Sequence, residues 1–258
     1  MFAKFAAGAL LLGASAAAQA GLPAFCQQSI DIDAAEQSRV LRFAGAVKRE
    51  LEGSGSRVAL IARAGLDLSR FGQLYSHAGI ALRDNPGGPW AVRQLYYACD
   101  ESRPRLFDQG IAGFALGADA PTRGHVSLVF PPDEDALLLE GAALDKRLAL
   151  SLLAGQYSAN AYAYGTRYQN CNQWVAELLA SAWGRLNPGE GSHAREDAQG
   201  WLRAQGYTAG PVRIPSHWMM FAGQFVPLVH LDDHPVEDRH ALALHVSVPA
   251  SIEAFVRR

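Results

Sequence analysis

From Ala34 to Leu51 the apolar residues Val40, Leu41, Phe43, Ala44, Val47 and Leu51 recur near the 3.6-residue period, and Gly53-Ser54-Gly55 follows. That pattern predicts an amphipathic helix with a flexible stop. Val58 to Ala62 is a short apolar run after turn residues and predicts a strand. Ser76 to Leu82 and Trp90 to Tyr97 are two β-prone runs around the turn-rich Arg83-Asp84-Asn85-Pro86-Gly87-Gly88-Pro89, the pattern of a hairpin. Leu137 to Leu153 reads as a helix broken by Gly155. Cys171 to Trp183 reads as a clearer one, with Trp174, Val175, Leu178, Leu179 and Ala182 in one stripe and Gly184 as its stop. Asn187 to Asp197 reads as a loop and Ala198 to Gln205 as a short helix. Two further strand-like runs lie at Phe225 to Val229 and Leu242 to Val248. Helices and strands interleave without a regular βαβ alternation, and no internal repeat is present, so the fold class expected is α+β.

The first twenty residues stand apart. Lys4 is followed by an apolar run through Ala9-Leu10-Leu11-Leu12 and by the small-residue ending Ala18-Gln19-Ala20, the three-part pattern of a secretory signal peptide. The strongly apolar part is shorter than the roughly 20 residues of a membrane span. The reading is a signal peptide over 1–20 with cleavage after Ala20, a single domain over 21–258, and a periplasmic or secreted product. No later apolar stretch approaches membrane length. Cys26 lies too far beyond Ala20 to begin a lipoprotein.

At 258 residues the chain can bury a sizeable core. With 23 Lys+Arg against 25 Asp+Glu, and no run of basic residues, it lacks the electrostatic footprint of a nucleic-acid binder. Three cysteines, Cys26, Cys99 and Cys171, are an odd number in a compartment that favours disulfides, so one thiol is expected free. Three pairings are possible from sequence alone. A staple near the mature terminus favours Cys26–Cys99. Cys171 opens a helix between Asn170 and Asn172, where free N–H groups and the helix dipole lower a thiol pKa.

A nucleophilic thiol at a helix start needs a base, usually a histidine on an adjacent strand. Of eight histidines, His77 fits best, because Ala78, Gly79 and Ala81 beside it are small enough for another element to pack close. A buried structural cysteine is the commoner explanation of Cys171 by itself. His230, His234, His240 and His245, with Asp232, Asp233, Glu237 and Asp238 among them, follow no zinc spacing, and a polar loop between strands explains them as well; neither a metal nor another cofactor is expected. Tyr157, Tyr162, Tyr164 and Tyr168 either line a cleft or pack a covering loop.

Taken together, Ser76-His77-Ala78-Gly79-Ile80 and Tyr168-Gln169-Asn170-Cys171-Asn172-Gln173-Trp174-Val175 resemble the circularly permuted branch of the papain-like, NlpC-type cysteine hydrolases, in which the histidine strand precedes the cysteine helix. With Cys99 and Leu106-Phe107-Asp108-Gln109-Gly110-Ile111-Ala112-Gly113-Phe114, most of the chain is similar to an exported bacterial family, the domain of unknown function 2145 family. The first resemblance implies an antiparallel sheet packed on the helix that starts at Cys171. It also implies Cys171 as nucleophile, His77 as general base and acid, and a polar third residue on the next strand. If Leu82 pairs near Ala91, Gly79 faces Gln94, which makes Gln94 that residue; it can fix the imidazole tautomer but cannot neutralise imidazolium as a carboxylate would. An oxyanion hole would combine the Cys171 N–H with a donor such as Tyr75 or Gln169. The implied activity is an exported thiol hydrolase of the amidase or peptidase kind, acting on cell-wall peptide, with thioester or acyl transfer also within the architecture. The rival is an inactive periplasmic binding or scaffold protein of the same fold, partnered with a wall peptide or another periplasmic component.

Overall fold

The computed structural model describes residues 32–65, 68–116, 125–187 and 193–258. The expected signal peptide and Cys26 lie outside them. The described chain is α+β. Helix α1 (Ala34–Gly53) starts under a side-chain cap, Asp33 accepting from the Glu36 N–H at 2.7 Å, and turns Val40, Ala44, Val47 and Leu51 inward. Strands β1 (Val58–Arg63), β2 (His77–Leu82), β3 (Ala91–Ala98) and β4 (Arg103–Gln109) follow, then helix α2 (Ile111–Leu116) and strand β5 (Val126–Val129). These five strands form one antiparallel sheet in the order β4-β3-β2-β1-β5. In the hairpin, Leu82 pairs with Ala91, Ala81 with Val92 and Ile80 with Arg93.

Every residue of β1 and β2 is buried. That is the condition of a sheet covered on both faces, and it explains why these strands read as continuous apolar runs rather than alternating ones. Side chains still alternate. Ala59, Ile61, Ala81 and Val92 join Val47, Leu51 and Phe114 in a core beneath α1 and α2. Ala78, Ile80, Leu82 and Leu95 join Leu139, Trp174, Val175 and Leu178 in a larger core on the opposite face. Gly79 is required by this packing: a Cβ there would stand 2.6 Å from Val92 Cγ1 and 3.2 Å from Gln94 Cβ.

The second core is made by helices α3 (Asp133–Leu144), α4 (Lys146–Ser151) and α5 (Cys171–Trp183). The single helix expected over Leu137 to Leu153 is two. Asp145, extended at ψ 100°, ends one and caps the next by accepting from the Arg147 and Leu148 N–H groups. Between α4 and α5 lie the short parallel strands β6 (Gln156–Tyr157) and β7 (Tyr168–Gln169). Helix α5 has the expected bounds and is buried all round up to Ala182, which a helix stripe alone does not reveal. Helix α6 (Ala194–Ala204) begins four residues earlier than expected, because Glu196 and Asp197, read as loop polarity, occupy its first turn, where carboxylates are favourable.

The C-terminal part forms strand β8 (Gly210–Arg213), helix α7 (His217–Gly223), helix α8 (Val236–His240), strand β9 (Ala243–Val246) and helix α9 (Pro249–Val256). Strands β8 and β9 pair antiparallel. Phe225 to Val229, expected as a strand, is a series of turns instead. Pro227 lacks the N–H a ladder needs, Leu228 sits at φ 62°, and the Phe225 and Val226 N–H groups close back on Ala222 and Gly223 at 3.1 Å. Among the described residues no helix is long and apolar enough to cross a membrane.

Candidate active site

Cys171 is the first residue of α5, and the sequence around it builds a helix N-terminus. Asn170 is extended and its side-chain oxygen accepts from the Gln173 N–H at 2.7 Å, while its carbonyl accepts from Trp174 N–H at 3.2 Å. The N–H groups of Cys171 and Asn172 are left for the sulfur, and both lower the thiol pKa, as does the N–H of Ala78 on β2. Asn172 ties the helix start to the segment before β2, its Nδ2 donating to the Ser76 carbonyl at 3.1 Å. Cys171 is a free thiol and Cys99 is disulfide-bonded.

The helix start does not decide the thiol's ionisation. Burial pushes its pKa up to about 11, against the three N–H groups and the nearby Arg63 cation. The sequence led us to expect a lowered value; desolvation of a 4% exposed residue outweighs the dipole.

His77 opens β2 and pairs with Arg63 of β1. Its Nε2 donates to Gln94 Oε1 at 2.7 Å, and Gln94 in turn donates through Nε2 to Gln109 Oε1 at 2.7 Å. This chain orients the Gln94 amide with its oxygen toward the ring, and in the neutral imidazole it leaves Nδ1 as the unprotonated nitrogen. The ring lies against Tyr96, with centroids 4.8 Å apart, and near Phe114 of α2 at 5.9 Å. Burial and Arg63 together hold the imidazole pKa down at about 3, the Gln94 bond opposing them only in part.

His77 therefore packs toward α2, whereas Cys171 belongs to the core on the α5 side, and they are linked through the backbone of Ala78, the next residue on β2. Arg63 acts on both, so thiol and imidazole share its field at the end of β1 and β2. Its guanidinium hydrogen-bonds the Tyr96 hydroxyl and lies 5.4 Å from the Phe114 centroid.

Of the two oxyanion candidates, Gln169 is occupied elsewhere. Gln169 is fully buried; its Nε2 donates to Leu152 O at 2.8 Å and Glu177 Oε2 at 2.6 Å, and its Oε1 accepts from Ala154 N–H at 3.1 Å. It braces the strand before the cysteine. Tyr75 has its pKa raised by burial and by Glu253 of α9, which places its hydroxyl in that carboxylate's field. Donors for an oxyanion are instead at hand in the N–H groups around the sulfur.

Sequence reasoning missed Arg63 and Gln109, and offered Tyr157 only as one of four tyrosines that either line a cleft or pack a covering loop. Arg63 carried a signal, being the one charged residue of a strand otherwise made of Val, Ala, Leu and Ile. Tyr157 borders Cys171: burial raises its hydroxyl pKa most, and the nearby thiol raises it further. The other tyrosines pack the covering loop. Tyr164 donates to Tyr207 O at 2.8 Å, Tyr168 stacks on His230 at 4.3 Å, and Tyr162 meets His234 edge-on. His234 bonds Asn160 O and His245 bonds Asp238, and no group of three or more metal-ligating side chains lies together among the described residues.

Cys171, Tyr157, Asn170, Asn172 and Ser76 form part of the wall of a cavity of about 450 Å³. Much of the remaining wall comes from α7, the turns after it, β8 and β9.

Fold and site together define an α+β protein that presents a free cysteine at a helix start, against a five-stranded antiparallel sheet carrying a Gln-bound histidine. The chain belongs to the DUF2145 family, uncharacterized proteins conserved in bacteria, whose model matches residues 50–256. No curated protein and no solved structure is significantly similar to it.

Proposed function

We propose that this protein is an exported thiol hydrolase of the permuted papain-like kind, forming an acyl-enzyme on Cys171. The observation that carries the reading is the placement of a free thiol in the wall of a cavity, with the N–H groups of Ala78, Asn172 and Cys171 beside it. Those groups offer the donors that a tetrahedral oxyanion needs. In the resting state thiol and imidazole are both neutral and pack on different sides of β2, so attack is coupled to a relayed proton transfer: Sγ–H gives its proton to a water that hands one on to His77 Nδ1 as the S–C bond forms. Gln94 holds the tautomer that makes Nδ1 the base. Arg63 disfavours imidazolium but favours the developing negative charge. A disulfide at Cys99 supports an oxidising, periplasmic or secreted location.

The test is turnover of an activated ester such as 4-nitrophenyl acetate by the mature protein, with intact-mass detection of the acyl adduct. Cys171→Ser is expected to abolish both adduct and turnover, and His77→Ala to lower turnover by about 10²–10⁴-fold. Undiminished turnover in Cys171→Ser overturns the reading.

A second reading, a binding protein of the same fold, is favoured by one specific observation: the imidazole packs between Tyr96 and Phe114 on the α2 side, while the thiol belongs to the other core. On that reading His77→Ala leaves the reactivity of Cys171 unchanged.

A further inference from the structure

Not all the large aromatic side chains of the C-terminal part lie in a core. Trp218 and Phe225 are each 74% exposed, and Phe221 and Val226 are about half exposed. Trp218, Phe221 and Phe225 follow one another at intervals of three and four residues, so they fall along one side of α7 and the turn after it. Their rings contact one another in series, Trp218 to Phe221 at 5.7 Å and Phe221 to Phe225 at 5.3 Å. The helix itself is anchored: Met220 is buried in a small core with Leu231, Leu244 and Val246. Helix α7 is therefore held to the body by one side and presents contiguous rings to solvent with the other, which is the form of an interaction surface.

The charge around these rings is one-sided. The chain has 25 Asp+Glu against 23 Lys+Arg, yet from Ala198 to Leu231 it carries no carboxylate and keeps Arg203, Arg213, His217 and His230. Arg213 and His217, just ahead of Trp218, are exposed. Arg70, also exposed, lines the same cavity as Met219 and Gly223 of α7 and so adds a cation on this side. Strand pairing sets Arg213 across from Ala243, close after Arg239 and His240 in the last turn of α8. The carboxylates of α8, Glu237 and Asp238, lie in its first turn, and Asp238 is bonded to His245.

Aromatic rings edged by cations are complementary to a surface that is apolar within and anionic at its face. Indole and phenyl rings settle at the headgroup level of a bilayer, where arginines just outside them reach the phosphates. A folded protein partner would have to supply an apolar socket with a matching acidic rim. An anionic bilayer supplies both, and its hydrated headgroup layer leaves the backbone of the turns after α7 in contact with water.

We propose that the α7 face is a docking surface for an anionic phospholipid bilayer, with Trp218, Phe221 and Phe225 at headgroup level and Arg70 and Arg213 against the phosphates. The binding is peripheral and needs neither Cys171 nor His77, so it stands or falls independently of the hydrolase reading.

The test is flotation of the mature protein with vesicles of phosphatidylglycerol and phosphatidylcholine in equal parts, set against phosphatidylcholine alone. Partition into the anionic vesicles is expected to be at least ten-fold stronger and to fall as salt is raised from about 50 to about 500 mM. Arg213→Glu is expected to weaken it by more than the about five-fold that loss of one cation accounts for. Trp218→Ser with Phe225→Ser is expected to weaken it at least ten-fold without lowering the thermal midpoint, since both side chains are exposed. Cys171→Ser should bind as the unsubstituted protein does, which keeps the result separate from any reaction at the thiol. Absence of binding to the anionic vesicles, equal partition of the double serine variant, or binding indifferent to lipid charge and salt overturns the proposal. A dimer that the double serine variant dissolves, in the absence of vesicle binding, also overturns it and gives the patch to a second copy of the chain.

Discussion

A neutral thiol and a neutral imidazole at one sheet end have opposite consequences for acid and base stability. His77 has its folded pKa depressed to about 3, below the ordinary 6.5, so between these values the unfolded chain binds a proton that the folded one refuses. Its contribution is present above pH 6.5 and is lost as pH falls toward 3, with a slope approaching about 1.4 kcal/mol per pH unit from this one group. Cys171 has its folded pKa raised, to about 11 from 9.0, so its contribution is present below pH 9 and is lost as pH rises toward 11. Denaturant titrations across these two windows should show His77→Gln flattening the acid limb by about one proton and Cys171→Ala flattening the alkaline limb alone. An acid limb unchanged in His77→Gln would mean that the imidazole is not held neutral. The helix start at Cys171, the base at His77 and the partner at Gln94 were legible from residue type and spacing. The ionisation was not, because it depends on how deeply α5 is buried, which no local pattern records.

At the scale of elements, the hairpin β2–β3 is the part of the site most fully written in the sequence. Two β-prone runs joined by Asn85-Pro86-Gly87-Gly88 fix the pairing of Leu82 with Ala91, and the two-residue period then carries Gln94 to the position across from Gly79. The contact works only because Gly79 lacks a Cβ, with Val92, Arg93 O and Gln94 all within 3.2 Å of where one would stand. Gly79→Ala is therefore expected to push β3 outward, destabilising the protein by about 1–3 kcal/mol and loosening the His77–Gln94 bond. The measurement is the thermal midpoint together with the alkylation rate of Cys171, which should rise as the packing around Ala78 opens. Elements failed to read where a turn overrode an apolar run. Phe225 to Val229 is apolar enough for a strand, yet Pro227 removes the ladder N–H, and Val226 and Val229 line the cavity while Phe225 is exposed.

For the molecule as a whole, the link between the cysteine helix and its surroundings is a buried ionic knot. Glu177 of α5 accepts from Arg195 Nε at 2.9 Å, Gln199 Nε2 at 2.7 Å and Gln169 Nε2 at 2.6 Å. Arg195 spends its other donors on the carbonyls of Gly165, Thr166 and Tyr168, the segment that leads into Cys171. Helix α5, helix α6 and strand β7 are thereby held to one another at a point none of them could specify alone, since Glu177 and Arg195 read in the sequence as ordinary polar positions and Gln169 as an oxyanion donor. Removing the cation leaves a fully buried carboxylate with only amide donors, and burial already raises its pKa. Arg195→Met is expected to cost about 3–5 kcal/mol, read as a lower denaturation midpoint. Glu177→Gln with Arg195→Met removes both charges and should recover much of that loss, since the remaining amides can still pair. If the double variant is as unstable as the single one, the knot acts by shape rather than by charge. Because Gln169 belongs to it, the same double variant should shift the Asn170 cap and change Cys171 alkylation, whereas a purely distant stabilising contact would leave that rate alone.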